Sequence, residues 1–402
     1  MRGIPTSAYL VILLIFIGIE LISFIGLLKS LKHSGKRMKI TFSAVYWLIS
    51  AYILATFSYV FSGHDRLRLS TDYSFFNFVL IVFFFNLVSK SALSLFSIIS
   101  GIVYLVSRQI SRIVYSAGLI VIIGIMLAMA FSVLFDKKNL RTEEVPVFVE
   151  SLPESLDGFT IAQLSDVHLG SLNHSKTIVK QAKRIIAEQK PDLILFTGDM
   201  VNNFSFETDE YIELFREMKA PYGKYAITGN HDYGDYYHWK TEKERDENLE
   251  KIRKSIREMG FDLLLNENRR IQVKDTAMYV IGVENWGHDP FPQYADLKKA
   301  TKDVPNNVFS ILMSHDPAHW DAQIVPQTEI PLTLSGHTHG LQFGIRIAGI
   351  EFSPMYFIQK YWGGLYRKGN QQLYVNRGMG TIGFAGRVEM RPEITLLTLH
   401  RN

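Results

Sequence analysis

Four stretches in the first third of the chain are apolar from end to end, and beyond residue 140 the pattern gives way to short apolar runs separated by polar ones. A helix needs about 20 mostly apolar residues to cross the ~30 Å hydrocarbon layer of a membrane. Residues 9–28, 40–61 and 114–135 meet that length. Residues 75–106 are apolar apart from Lys90, too long for one upright span and too short for two, so the pattern predicts one span over 75–96 with an interfacial continuation. Residues 1–140 are therefore expected to form a transmembrane region of about four helices, five being the alternative. The first run exceeds the roughly 7–15 apolar residues of a signal-peptide core and is followed by further spans, so it reads as a retained helix. Glu20 falls at mid-span, where an ionisable group either marks function or pairs within the bundle.

Residues 141–158 read as a linker and residues 159–402 as a second domain. After the turn signal Asp157-Gly158, residues 159–163 read as a short apolar strand that runs into the polar segment 164–170. Residues 175–189 have helical periodicity in Ile178, Val179, Ala182, Ile185 and Ile186, and Pro191 closes the helix. Residues 192–197 read as a buried strand ending at Gly198-Asp199, 209–218 as a helix, 224–228 as a strand ending at Gly229-Asn230-His231-Asp232, and 241–259 as a charged helix. Further strands are expected over 277–283, 308–313, 332–334, 372–375 and 394–399. Early alternation of helices and strands followed by a predominance of strands predicts a layered α/β domain with mixed sheets.

Charge changes sign between the two parts. Through Leu140 there are 13 Lys and Arg against 4 Asp and Glu, a net of +9; the whole chain nets +4, so the remainder carries −5. The acidic second part has no long basic run, which disfavours general nucleic-acid binding. The loop holding Lys29, Lys32, Lys36, Arg37 and Lys39 has no acid, whereas Arg66 and Arg68 in the next loop are balanced by Asp65 and Asp72. By the positive-inside rule the first loop is cytoplasmic, and four spans then put the second domain outside the cytoplasm; Lys137, Lys138 and Arg141 argue the other way. With no cysteine, disulfides, thiolate zinc sites and cysteine nucleophiles are excluded. Nothing in the sequence addresses the oligomeric state.

Five polar motifs follow the expected strands in order: Asp166-Val-His168, Gly198-Asp199, Gly229-Asn230-His231-Asp232, Ser314-His315-Asp316 and Gly336-His337-Thr-His339. Each is weak alone; their joint presence, each after a strand, is not. Imidazoles, carboxylates and an amide oxygen without sulfur suit a pair of hard-to-borderline divalent ions. Two such ions about 3.5–4 Å apart, bridged by one carboxylate, clamp a phosphoryl oxygen and generate a bridging hydroxide for in-line attack. The glycines before Asp199, Asn230 and His337 are expected to let the chain turn sharply there.

With this motif series the segment from about Thr160 to Leu399 resembles the calcineurin-like metallophosphoesterase superfamily, and in it the membrane-anchored bacterial phosphodiesterase-like branch. Asn376-Arg-Gly-Met-Gly-Thr381 and Pro392-Glu-Ile-Thr395 resemble that branch's C-terminal signature; Leu341 departs from it, a second glycine being frequent there. The resemblance implies a β-sandwich flanked by helices, with Asp166, His168 and His339 on one ion, Asn230, His315 and His337 on the other, and Asp199 bridging. His231 is then the catalytic histidine, oriented by Asp166, which protonates the leaving oxygen or stabilises phosphoryl charge. The ions implied are Mn2+ first, with Zn2+ or Fe as alternatives. The implied reaction is hydrolysis of a phosphodiester or pyrophosphate bond, in a substrate that could be lipid-linked and in contact with membrane lipids.

Outside the motifs, Asp232 and Asp316 read as supporting or turn residues, and His174, His238, His288 and His319 as surface or supporting histidines. Arg346 and Arg377 are candidates to bind a substrate phosphate, because guanidinium matches its oxygens. Trp239, Trp286 and Phe291 could line a groove or pack in the core. A phosphomonoesterase remains an alternative, as does a receptor or scaffold on the same fold, although no ligand position has been lost. A transporter would need broken helices or a set of intramembrane charges, and only Glu20 and Lys90 are present.

Overall fold

In lipid, a backbone can satisfy its own polar groups locally only by closing into helices. The computed structural model, which describes residues 6–62, 73–150, 152–287, 292–347 and 350–402, forms four where the apolar stretches lie: α1 (Thr6–Ser30), α2 (Lys36–Ser62), α3 (Ser74–Tyr104) and α4 (Arg108–Leu134). Each is long and apolar enough to cross a membrane. α3 runs unbroken through 31 residues, so the continuation expected beyond residue 96 belongs to the same helix. Asp65, Arg66, Arg68 and Asp72 lie outside the described residues.

These helices belong to the first of two compact units, Met1–Val133 with Gly383–Ala385. Its centre is polar. Glu20 is 2% exposed and accepts from Lys90 Nζ at 2.6 Å, Ser50 Oγ at 2.7 Å and Asn86 Nδ2 at 2.8 Å. Ser50 Oγ also accepts from Lys90 Nζ at 2.9 Å, and the ammonium lies 4.1 Å from the Tyr46 ring centroid. Every oxygen of the carboxylate is thus occupied from a neighbouring helix, the condition under which a buried charge is tolerated.

The second unit, Leu134–Ile382 with Gly386–Asn402, holds two six-stranded sheets. The first comprises β1 (Arg141–Val149), β2 (Thr160–Leu164), β3 (Leu193–Phe196), β4 (Lys224–Ala226), β5 (Asp262–Leu263) and β14 (Glu393–Arg401), in the order β1-β14-β2-β3-β4-β5. The second comprises β6 (Glu267–Val273), β7 (Thr276–Gly282), β8 (Ser310–Met313), β9 (Leu332–Ser335), β12 (Gly364–Lys368) and β13 (Gln371–Val375), in the order β12-β13-β9-β8-β7-β6. β10 (Ile345–Ile347) and β11 (Ile350–Phe352) form a separate hairpin. β2, β3, β4 and β5 run parallel, as do β7, β8, β9 and β13.

Strand alternation assigns each sheet two buried faces. Ile161, Leu193, Leu195 and Leu397 meet Val280, Ile311, Met313 and Leu334 in the core between the sheets. The intervening Ala162, Ile194 and Phe196 pack instead against Ile178 and Ile186 of α5 (Thr177–Gln189), Phe215 of α6 (Ile212–Arg216) and Ile252 and Ile256 of α7 (Glu242–Glu258). Strands buried on both faces read as continuous apolar runs, which is why they were visible in the sequence. Residues 141–149, expected as part of a linker, form β1 and pair in parallel with β14 from Arg141 opposite Glu393 to Val149 opposite Arg401. The error has a physical cause: β1 is an edge strand whose first half is charged.

The buried cluster in the helical unit generates a stability prediction. Lys90→Met strands the Glu20 charge, and breaking a buried pair costs about 3–5 kcal/mol. The thermal midpoint of the full chain in detergent should fall, and Glu20→Leu added to Lys90→Met should restore part of the loss. A single variant as stable as the parent chain would contradict a pair of this kind.

Candidate metal centre

Each polar motif begins where a buried parallel strand ends: Asp166 and His168 after β2, Asp199 after β3, Asn230 and His231 after β4, His315 after β8, and His337 and His339 after β9. The strand ends of both sheets point the same way, so side chains distant in sequence converge. His315 Nε2 from the second sheet lies 3.1 Å from Asp199 Oδ2 of the first, and His168 Nε2 lies 3.0 Å from His339 Nε2. Three trios have ligand atoms within 4.8 Å of one another: Asp166 with His168 and His339, Asp199 with His315 and His337, and His168 with Asp199 and His231. The Asn230 amide oxygen joins the second, 3.0 Å from His315 Nε2 and 2.9 Å from His337 Nδ1.

The donors suit divalent ions of hard-to-borderline character, and Asp199 belongs to two of the three trios. The backbone is bent to bring them there. Asp166, His168, Asp199, His337 and His339 all have positive φ, between 47° and 74°. Such conformations cost about 1–3 kcal/mol each in a non-glycine residue and persist where the surroundings over-determine them. The neighbouring glycines serve mainly space rather than conformation. Gly229 and Gly336 do not have positive φ, but a Cβ at Gly229 would collide with the Asp199 carboxylate and one at Gly336 with that of Asp166. Gly198 needs both, with φ 98° and Gly229 N only 2.6 Å from where its Cβ would stand.

A second ring of contacts fixes the donors. The Asp232 carboxylate accepts the backbone N–H groups of Asp199 at 3.0 Å, Met200 at 2.9 Å and Gly229 at 2.9 Å, holding the turn that presents Asp199. Asn230 Nδ2 donates to Tyr236 OH at 2.7 Å, which directs its oxygen toward the imidazoles. The fully buried Arg387 reaches His339 Nδ1 at 3.0 Å and donates to the carbonyls of Arg377 and Met390. His231 Nδ1 donates to the Asn202 carbonyl at 2.8 Å, and its ring stacks on Tyr236 at 4.2 Å. The orienting partner of His231 is therefore Asn202 and not Asp166, whose oxygens are taken by Ser165, by the His337 N–H and by His339.

Arg346 and Arg377 are not gathered into this cluster. Arg377 pairs with Glu393 at 2.6 Å and with Glu351, and Arg346 with Glu351 at 3.0 Å and Glu143 at 3.2 Å. Their guanidinium groups have acidic partners that follow from no local pattern. His319 is fully buried, bonded to Ser314 and stacked on Trp286 at 4.5 Å. Trp239 packs with Phe204 and Tyr237, and His174 pairs with Glu210 on the surface. Asp316 caps the N–H of Ala318 and His238 is exposed; His288 and Phe291 lie outside the described residues. Tyr236, Asn202 and Arg387 were missed, since no motif carries them; the tyrosines that follow Gly229-Asn-His-Asp were the available signal for the first.

Electrostatics follow from burial and from Asp199. Burial would raise the Asp199 carboxyl, yet the facing imidazoles of His315, His231 and His168 hold it well below the usual carboxylate range. Burial alone would lower His315, but the Asp199 carboxylate raises it to about 10. Asp166 and Asp232, buried beside the same negative charge, are both pushed up to about 7. Burial lowers His231, His337 and His339, and lowers His168 to about 3.

Two mixed sheets with this donor set at their strand ends define a metal-dependent phosphoester hydrolase. Residues 159–341 match the family model of the calcineurin-like phosphoesterase. The chain is 34% identical over 272 residues to the uncharacterized metallophosphoesterase YkuE of Bacillus subtilis (strain 168), covering 65% of this chain and 85% of that protein. It is 28% identical to a transmembrane protein with metallophosphoesterase domain of Danio rerio, covering 64% of this chain and 57% of that one, and 28% identical to the phosphodiesterase YaeI of Escherichia coli (strain K12), covering 60% and 82%. The chain belongs to the calcineurin-like phosphoesterase family, whose members are dimetal phosphoesterases.

A pH dependence follows for the metal-free chain. His315 keeps its proton in the folded state up to about pH 10 but loses it near 6.5 when unfolded. That stabilisation is complete below pH 6.5 and declines as pH rises, and Asp166 and Asp232, finishing their titration near pH 7, add to the decline. In the presence of chelator the thermal midpoint should therefore fall between pH 7 and 8, a window below the buried Lys224, whose ammonium is lowered to about 8. A midpoint that rises across this window would contradict the assignment.

Proposed function

We propose that this chain hydrolyses a phosphodiester or pyrophosphate bond, with Asp166, His168 and His339 holding one divalent ion, Asn230, His315 and His337 a second, and Asp199 shared. The observation that carries this reading is the gathering of these seven donors from both sheets into adjoining clusters, with Asp199 beside His168 in one trio and beside His315 and His337 in another. Bound divalent ions supply a nucleophile derived from water at neutral pH and neutralise phosphoryl charge. Mn2+ is the first candidate, with Zn2+ or Fe as alternatives.

His231 is the proton donor to the leaving oxygen. Its Nδ1–H is committed to the Asn202 carbonyl, so Nε2 is the atom left to carry a proton outward. Asn202 and the Tyr236 ring fix the direction of that atom. Because Nδ1 must keep its hydrogen, Nε2 can donate only from the imidazolium form, and donation weakens as pH rises.

The test uses the full chain, with mono- and diester substrates and each metal. Diester hydrolysis with Mn2+, abolished by chelation, is expected. His231→Ala should keep both metals and lose roughly 10²–10⁴ in turnover, the usual worth of a positioned acid. A nitrophenyl ester, whose leaving group needs little protonation, should suffer less than an alkyl ester. Metal-independent hydrolysis sinks the reading, monoester preference turns it to a phosphomonoesterase, and loss of a metal from His231→Ala makes that residue a ligand of the trio it forms with His168 and Asp199.

The four helices are further read as four spans, with the catalytic unit outside the cytoplasm and a lipid-linked phosphoester as substrate. The acid-free basic stretch from Lys29 to Lys39, which spans the end of α1 and the start of α2, supports this orientation. Reporter fusions after Lys138 should be active only outside the cytoplasm; the reverse result overturns it.

A further inference from the structure

Next to the last metal motif, part of the surface of the catalytic unit is apolar and exposed. The β10–β11 hairpin pairs with neither six-stranded sheet, and the turn after it, Pro354–Phe357, carries aromatic side chains outward. Tyr356 is 63% exposed, Phe357 77% and Ile358 70%, with Leu341, Ile345 and Phe352 also exposed. The Phe357 ring lies 5.5 Å from that of Tyr356 and 6.0 Å from that of Phe352, so these side chains form a patch. The patch is fastened to the metal motif. Ser353 Oγ donates to the Gly340 carbonyl at 2.7 Å, and Gly340 and Leu341 directly follow His339.

Most charged side chains in this segment have partners of opposite sign, while the exposed Arg367 bonds to the Gln372 amide oxygen. Arg346 is held by Glu143 and Glu351, while Lys360 and Lys368 both face Asp321, at 2.7 and 3.4 Å. The patch therefore offers aromatic and aliphatic surface whose flanking charges are mostly paired. An exposed apolar patch of this kind marks an interaction surface.

We propose that this patch docks into the boundary between headgroups and acyl chains of a lipid bilayer. Lipid is the occupant because the same chain carries four helices apolar enough to cross a membrane, so a bilayer is at hand wherever the catalytic unit is. The composition agrees: Tyr and Phe with Ile favour that boundary, where an apolar body and a polar tip are both satisfied. Paired charges make the attachment a matter of apolar insertion, independent of anionic lipid. Docking puts the loop after His339 at the lipid boundary and selects a phosphoester whose apolar part remains in the bilayer. That choice of substrate class rests on the hydrolytic reading above; docking itself does not.

The chain has no cysteine, so a single introduced cysteine takes a fluorophore at one position only. Phe357→Cys and, independently, Ile358→Cys are labelled in the full chain and placed in nanodiscs whose lipids carry brominated acyl chains, with the exposed Asp275→Cys as control. An interfacial group sits ~5–10 Å into the headgroup and acyl boundary, so labels at 357 and 358 should lose about half their emission or more, and the label at 275 almost none. The loss should be equal in zwitterionic and anionic discs and at low and high salt. Labels at both positions that escape bromine but are reached by aqueous iodide show a bare surface and overturn the proposal. Labels shielded from both quenchers show a covering protein, a second copy or another partner, and overturn it equally. Quenching that needs anionic lipid or vanishes at high salt overturns apolar insertion. Diester hydrolysis assayed on the same discs separates the two ideas, since quenching without activity spares docking and removes the hydrolytic reading.

Discussion

The carboxylate of Asp199 is the point on which the catalytic unit turns. It belongs to the first sheet, faces His315 of the second, and accepts the backbone N–H of His231 at 2.9 Å, so one buried negative charge ties three strand ends together. A charge so placed is tolerable only with positive charge facing it. The surrounding imidazoles supply this in part, which is why His315 holds its proton so firmly. The left-handed backbone at Asp166, His168, Asp199, His337 and His339 is the cost of aiming so many donors at one spot, about 1–3 kcal/mol for each residue. Buried side-chain acceptors such as Asp232 hold those turns in place.

The helical unit meets the same electrostatic problem with a lysine. Glu20 is answered within the protein by Lys90, Ser50 and Asn86, and its carboxylate has no need of a further cation. Asp166 and Asp199 sit at strand ends among imidazoles, of which His315 faces Asp199 with its proton held, and Asp166 is pushed up to about 7 by burial beside a like charge. The first arrangement stabilises a bundle; the second suits residues that hold exchangeable ions.

Much of this was legible in the sequence because two strong signals do not depend on tertiary context. Apolar length located the four helices, and strand ends followed by Asp, His, Asn and Gly located the donors. What stayed hidden depends on partners remote in sequence. β1 looked like a linker because its first half, Arg141 to Glu144, is charged and becomes a strand only by pairing with β14. Arg346 and Arg377 looked like phosphate ligands because their acids, Glu143, Glu351 and Glu393, are contributed by other segments. The partner of His231 is a backbone carbonyl, to which a reading of side-chain motifs is blind. The role of the glycines was half visible: sharp turns were expected, but crowding against Asp199 and Asp166 is the stronger demand at Gly229 and Gly336.

The sheet order β1-β14-β2 bears on how the protein is made. β14 lies between two strands that are synthesised more than two hundred residues before it. While the ribosome is still translating the middle of the chain, β1 has no neighbour and β2 has an open edge, even though the four apolar helices have already been made. Unpaired strand edges invite association with other chains, and pairings of such long range are slow to form. The nascent catalytic unit must therefore wait, tethered and incomplete, until its last strand emerges. That interval is the stage of its life at which a chaperone or a truncating protease would find it most exposed.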